Sequence, residues 1–109
     1  KMEEVGFMFF KADKKIHKFY FKDILFIEGS GNYVKIHSEK EKPLLVLEKL
    51  SDLIKKLPQQ DFFRVHKSYI VNLQKIRQVE GNRIRLENAD VPISATYKQD
   101  FERFLMRNK

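Results

Sequence analysis

The 109-residue chain contains no cysteine, which excludes disulfide bonds and thiolate metal sites. Its apolar runs are short: residues 24–27 and 44–47 fall far below the roughly 20 residues that span a bilayer. The first residues lack the apolar core of a secretory signal, and the sequence has no internal repeat or low-complexity tract. We therefore expect one soluble, cytoplasmic domain over residues 1–109, excised from a longer protein and making no membrane contact.

Groups that carry out catalysis are also scarce. There is no cysteine nucleophile. His17, His37 and His66 lie on separate predicted elements, and none has a carboxylate at a spacing typical of a catalytic pair or a metal site. The acidic residues are scattered singly along the chain. We expect no enzymatic activity, no metal site and no cofactor.

Positive charge is the strongest feature of the composition. Lysine and arginine number 22 against 15 acidic residues, which gives a formal net charge of +7. Such a balance favours encounter with a polyanion but does not specify a fold. A negatively charged polymer is the first partner to consider, and the charge alone fits both nucleic acid and an anionic membrane.

The hydrophobic pattern predicts a mostly β fold. Residues 5–10 and 16–21 are typical of a hairpin, and residues 24–28 and 33–37 are typical of two strands joined by a glycine-containing turn at 29–32. Alternation puts Val34 and Ile36 on one face of the second of these strands, and Tyr33, Lys35 and His37 on the other.

Two helices complete the prediction. Residues 44–47 form a strand that leads into a helix over 48–57, whose apolar residues recur at helical spacing and which Pro58 ends. Residues 75–79 and 83–86 flank a second hairpin turn, and residues 91–93 form an edge or terminal strand because Pro92 cannot donate to a ladder. A C-terminal helix follows from its N-cap Ser94 through Arg103.

The central segment, residues 62–73, is the most informative part of the chain. An ordinary buried strand would not accommodate Arg64, His66, Lys67 and Ser68, because unpaired polar groups lose water on burial. Alternation predicts that Arg64, His66 and Ser68 share a face, with Val65 inward and Lys67 where the strand ends. These groups suit phosphates or base edges.

A structural interpretation of the same segment stays open. The polar residues can form a solvated strand end in which His66 bonds a neighbouring backbone group, and for His66 we favour that role. Asn72 is assigned a structural role, as a turn or cap residue.

Two flanking segments can add to a binding surface. A projecting hairpin tip would expose Asn32, Tyr33 and Lys35, and the start of the C-terminal helix leaves Thr96 and Lys98 facing outward. Ser94 and Tyr97 are assigned to capping and packing. The remaining charges treated as solvated are Lys14, Lys15, Lys55, Lys56 and Arg107.

Residues 27–34, 47–57, 62–73 and 91–94 with Tyr97 together resemble the LytTR-type DNA-binding domain, the output module of LytR/AlgR-like bacterial response regulators. The resemblance implies an elongated β fold whose loops enter successive major grooves of paired promoter repeats, with self-association there and a receiver or sensor domain elsewhere in the full protein. It implies base contacts near Tyr33 and Val34, on Lys67, and on Thr96, with Lys98 as the other candidate for the third contact.

The resulting hypothesis is sequence-specific binding of double-stranded DNA by a transcriptional regulator. The candidate DNA-binding residues are Asn32, Tyr33, Val34, Lys35, Arg64, Lys67, Ser68, Thr96 and Lys98. One alternative is a β-rich module for single strands or RNA, in which Tyr33, Tyr69 and Tyr97 stack on bases. Another is a protein-interaction domain that uses an exposed strand edge.

Overall fold

The computed structural model describes residues 6–107, so the predicted start of the first strand at Val5 lies outside the described residues. The strands are β1 Phe7–Ala12, β2 Lys15–Tyr20, β3 Ile24–Ser30, β4 Tyr33–Ser38, β5 Leu44–Leu47, β6 Phe62–His66, β7 Tyr69–Asn72, β8 Gln78–Glu80, β9 Arg83–Leu86 and β10 Ala89–Pro92. The α-helices are α1 Leu50–Leu53 and α2 Ala95–Arg107, and short 3₁₀ helices cover Phe21–Asp23, Ile54–Lys56 and Leu73–Lys75. The predicted mostly β class with a central and a C-terminal helix is confirmed.

An antiparallel five-stranded sheet organises the molecule. Its strand order is β5-β4-β3-β7-β6, while β1 and β2 form a separate hairpin and β10, β9 and β8 form a three-stranded sheet. The strand that contains Pro92 lies at an edge, as predicted from its missing N–H group. In the five-stranded sheet, β3 lies between β4 and β7.

The side chains of β3 enter two different hydrophobic cores. Ile27 packs into the first core, which the β1–β2 hairpin and α1 cover through residues such as Phe10 and Leu53. Phe26 packs into the second core, which the three-stranded sheet and α2 cover. The buried side chains of α2 in that core are Phe101 and Phe104. This double burial explains why β3 is a continuous apolar run.

Asn72 ties the sheet to the segment that precedes it. Its side chain is 1% exposed, and Nδ2 donates to the carbonyl oxygens of Phe21 at 3.1 Å and Ile24 at 2.8 Å. Its Oδ1 accepts the backbone N–H of Gln74 at 3.0 Å, which caps a 3₁₀ turn. The structural role predicted for Asn72 is confirmed, and every polar atom of the buried amide has a partner.

The first helix is shorter than predicted. The sequence pattern gave ten residues, 48–57, but the α-helical part is Leu50–Leu53 and the next turn is 3₁₀. Leu57 is already extended, with φ −89° and ψ 155°, because the following Pro58 disfavours helical backbone at the residue before it. The apolar spacing still identified the buried face of this segment, since Leu50, Leu53 and Leu57 are all buried.

The outline is flattened, with principal extents of 40 × 36 × 25 Å. The C-terminal helix also continues beyond the predicted Arg103 to Arg107. Within residues 6–107, neither α-helix has the length and apolar character needed to cross a bilayer.

Candidate nucleic-acid interface

The turn between β6 and β7 is built on a β-bulge. Arg64 pairs with Ile70 and His66 with Tyr69, which leaves Val65 as an extra residue whose side chain is fully buried. Because Ile70 and Tyr69 are neighbours in β7, they lie on opposite faces of the sheet. The predicted common face for Arg64, His66 and Ser68 is therefore wrong, since the extra residue breaks the strand alternation.

Hydrogen bonds to its own backbone shape this turn. The guanidinium of Arg64 donates from Nε to the carbonyl of His66 at 3.3 Å and from Nη2 to the carbonyl of Lys67, and it lies 6.0 Å from the centre of the Tyr97 ring. Nδ1 of His66 accepts the backbone N–H of Ser68 at 3.0 Å. The structural role favoured for His66 is confirmed. The guanidinium of Arg64 is used to hold the backbone of the turn.

Lys67 stands at the apex of this turn. Its side chain is exposed, and the part of the chain that the structure describes offers its ammonium group no hydrogen-bond or ion-pair partner. The carbonyl of the same residue is held by Arg64. The backbone of Lys67 is thus fixed while its charge is free for an external ligand.

The β3–β4 hairpin tip lies beside the 66–68 turn. The backbone N–H of Gly29 donates to the carbonyl of Ser68 at 2.8 Å, and Glu28 pairs across the sheet with both Lys35 and Tyr69. The tip itself is Gly31–Asn32, where Gly31 has φ +61°, a conformation that glycine adopts without strain. Two predicted segments are therefore adjacent at one end of the five-stranded sheet.

Residues of this tip differ in their exposure. Asn32 and Lys35 are exposed and Tyr33 is 46% exposed, whereas Val34 is fully buried in the first core. The side chain of Val34 cannot contact DNA, so its predicted role in binding is wrong. The physical reason is the strand alternation itself, which directs Val34 and Ile36 inward together.

The start of α2 borders the other side of the 66–68 turn. The backbone N–H of Ser94 donates to the carbonyl of Val65 at 2.9 Å, and the Ser94 carbonyl accepts the N–H of Tyr97 at 3.1 Å. Thr96 is exposed, while Lys98 is half-buried and donates to Oδ1 of Asn82 at 2.9 Å. Of the two candidates for a third contact, Thr96 has the freer side chain.

Three segments thus adjoin along one end of the sheet: the tip 30–33, the turn 66–68 and the helix start 94–98. We call this row of segments the reading end. Hydrogen bonds at the bases of these segments connect them, from Gly29, just before the tip, to Ser68, and from Ser94 to Val65, just before the turn. Six of the nine candidate binding residues lie in it: Asn32, Tyr33, Lys67, Ser68, Thr96 and Lys98. Lys35 is exposed on β4 next to the tip, Val34 is buried, and Arg64 supports the turn from within.

Asn82 is a residue of this region that sequence reasoning missed. It lies in the β8–β9 turn, where its carbonyl accepts the N–H of Ile93 at 2.8 Å and its side chain holds Lys98. The sequence marks it only as a turn residue. The contact joins residues 16 positions apart, and no local pattern reports it.

Two of the three tyrosines named for base stacking are packed against protein. The Tyr69 ring centre lies 5.5 Å from that of His66 and 6.1 Å from that of Phe26, and the Tyr97 ring lies under the guanidinium of Arg64. Tyr33 alone of the three is exposed. The series of stacking platforms needed for a single strand is not assembled by these residues.

A sheet end that presents a fixed turn with an unpaired lysine between two polar segments is suited to a polyanionic ligand such as a nucleic acid. Comparison with known proteins agrees with this class and makes it specific. The LytTr DNA-binding domain model matches residues 14–106. The chain therefore belongs to the LytTr DNA-binding domain family.

Curated relatives are longer proteins. The sensory transduction protein LytT of Bacillus subtilis (strain 168) is 29% identical over 90 residues, which cover 77% of this chain and 37% of LytT. The transcriptional regulatory protein YpdB of Escherichia coli (strain K12) is 29% identical over 100 residues, which cover 85% of this chain and 41% of YpdB. The chain thus spans about two fifths of the length of these relatives.

A solved structure has the same fold. It is described as the LytTr DNA-binding domain of a DNA response regulator from Bacillus cereus, and it superposes with a TM-score of 0.76 at 22% sequence identity. The superposition covers 91% of this chain and 95% of that one. The arrangement of sheets and helices described above is therefore the LytTr fold.

Proposed function

We propose that this chain is the output domain of a bacterial transcriptional regulator and binds double-stranded DNA in a sequence-specific manner. It acts in the cytoplasm without catalysis, metal or cofactor, and it makes no membrane contact. A receiver or sensor domain in the full-length protein supplies the signal. The observation that carries the proposal is the reading end, where three segments adjoin and the central one presents a lysine that has no partner in residues 6–107.

Each segment of the reading end has a role in the proposal. Lys67 reads a base edge from the centre, while Asn32, Tyr33 and Lys35 enter the neighbouring groove from the hairpin tip. Thr96 makes the third contact from the helix start. Ser68 and Lys98, at the C-terminal ends of the second and third segments, hold phosphates.

Arg64 has a positioning role in this proposal. Its hydrogen bonds to the carbonyls of His66 and Lys67 fix the direction in which the Lys67 side chain leaves the turn. A base contact requires such fixed geometry, because discrimination between base pairs depends on the placement of donors and acceptors.

Two copies of the domain bind paired repeats in a promoter, with the loops of each copy in successive major grooves.

The experiment is a selection of bound duplexes from a random pool, followed by affinity measurements on the selected duplex, a shuffled duplex and the selected strand alone. We expect the selected duplex to bind most tightly and its affinity to fall steeply with salt, because lysines that neutralise phosphates release counterions. Tighter binding of the single strand would favour a single-strand module. Failure to enrich any sequence, together with binding that is insensitive to salt, would contradict the proposal.

A further inference from the structure

Beside the hairpin tip lies an open concavity of about 800 Å³ that the reading end does not include. Its walls are Asn32 from the tip, Leu47 at the end of β5, and the polar residues of the α1 segment. We call this the α1 concavity. Since Asn32 belongs to both features, the α1 concavity adjoins the reading end.

A close backbone approach fixes α1 next to the tip. A Cβ atom placed on Gly29 would lie 3.2 Å from both Cβ and Cδ2 of Leu50, which is tighter than ordinary van der Waals contact. The absence of a side chain at Gly29 therefore allows the first residue of α1 to pack against β3 two residues before the tip. The wall of the α1 concavity is a fixed part of the fold.

The charges in this wall leave a net positive surface. Lys56 is neutralised by Glu48, whose carboxylate oxygen lies 2.7 Å from its Nζ. Lys49 and Lys55 are exposed, and within residues 6–107 neither has an ion-pair or hydrogen-bonding side-chain partner. Asp52 is the remaining carboxylate of the wall and is likewise exposed and unpaired in the described part of the chain. Two free ammonium groups thus face one free carboxylate.

An apolar side chain stands between these charges. Leu47 is 69% exposed and lies opposite Tyr33 in the β4–β5 register, so the two side chains are neighbours on the sheet. The combination of free cations around an exposed apolar group matches the sugar-phosphate backbone of DNA, in which anionic phosphates alternate with apolar deoxyribose faces.

We propose that the α1 concavity is a second DNA-binding subsite, in which Lys49 and Lys55 hold phosphates of one strand beyond the hairpin tip and Leu47 contacts the adjoining sugar. The inference rests on the proposed function, because it requires a duplex at the reading end. It extends the DNA footprint on one side by a contact that carries no sequence information. Asp52 opposes the same phosphates and limits the affinity.

The test compares two double variants of equal charge. The first is Lys49→Ala with Lys55→Ala. The control is Lys22→Ala with Lys42→Ala. These exposed lysines lie in the 3₁₀ helix that precedes β3 and in the β4–β5 loop, at the far end of the sheet from the tip. Affinities for the selected and the shuffled duplex are measured over a range of salt concentrations.

We expect the first variant to weaken binding to both duplexes by the same factor, on the order of 10-fold, and to reduce the salt slope by about 1.8, or 0.9 per lost phosphate contact. The control should change neither quantity. Asp52→Asn should instead tighten binding to both duplexes, a gain that a folding defect cannot produce. A duplex shortened so that it ends before the α1 concavity should bind the wild-type protein and the first variant with equal affinity, because neither can then use Lys49 and Lys55.

The inference is overturned if the first variant matches the control in affinity and salt slope while Lys67→Ala still weakens binding to the selected duplex. That result leaves the proposed function intact. If the wild-type protein fails to bind any duplex, the proposed function fails and the inference fails with it.

Discussion

Replacing Lys67 with alanine isolates the contact that we assign to the centre of the reading end. The side chain is exposed and its ammonium group makes no contact in residues 6–107 that would stabilise the fold. The turn around it is held by Arg64 and His66, which the substitution does not touch. We therefore expect Lys67→Ala to change the free energy of unfolding by less than about 0.5 kcal/mol.

The loss of DNA affinity then reports the contact itself. A lysine on a base edge contributes roughly 1 to 3 kcal/mol of discrimination, so Lys67→Ala should lower affinity for the selected duplex by about 5- to 150-fold more than for a shuffled duplex. Lys67→Arg keeps the charge and adds a planar fork, so it should bind best where the contacted base is guanine.

Fluorescence anisotropy on both duplexes at two salt concentrations gives these ratios, and urea unfolding of the same samples checks stability. Equal losses on both duplexes would show that Lys67 holds a phosphate and reads no base. A large loss of stability would show that the turn depends on the lysine side chain, and the reasoning from its exposure would be refuted.

Three further substitutions test the structure around the reading end. Asn72→Ala removes three hydrogen bonds of a buried amide, so at about 1 kcal/mol per bond it should lower the free energy of unfolding in urea by about 3 kcal/mol. The control Gln74→Ala, at an exposed neighbour with one side-chain bond, should lower it by under about 1 kcal/mol. Similar values for the two variants would refute the role of the buried amide. Arg64→Met should reduce the difference in affinity between the selected and the shuffled duplex, because the guanidinium holds the turn that carries Lys67. The dependence of DNA affinity on salt should stay the same, and a slope reduced by about 0.9 would instead identify a phosphate contact. Gly29→Ala forces a Cβ atom toward Leu50 and should destabilise the fold by roughly 1 to 3 kcal/mol, measured by the same unfolding assay, and a neutral effect would show that α1 shifts easily.

Local patterns in the sequence predicted most of the elements because each depends on neighbouring residues. Alternation in β4 correctly directed Val34 and Ile36 inward. The DNA contact assigned to Val34 came from the family resemblance and conflicted with that alternation. The structure resolves the conflict in favour of the pattern, since a side chain at zero exposure has no access to a ligand.

Other features depend on contacts that no local pattern contains. The bulge at Val65 arises from the pairing of β6 with β7, and it puts Arg64 and His66, which were predicted to share a face, on opposite faces of the sheet. As a glycine, Gly29 was predicted to belong to the turn, but it lies within β3, where the lack of a side chain leaves room for Leu50. Both features depend on strand register and on close packing between segments that are distant in sequence, and local sequence patterns contain neither.

Chemical-shift mapping by NMR during titration with the selected duplex tests the central claim most directly. We expect the largest backbone amide shifts in segments 30–33, 66–68 and 94–98, and small shifts in the β1–β2 turn at 13–14 and the β9–β10 turn at 87–88. Shifts concentrated in those two turns, or spread evenly over both ends of the sheet, would contradict the assignment of the reading end to DNA.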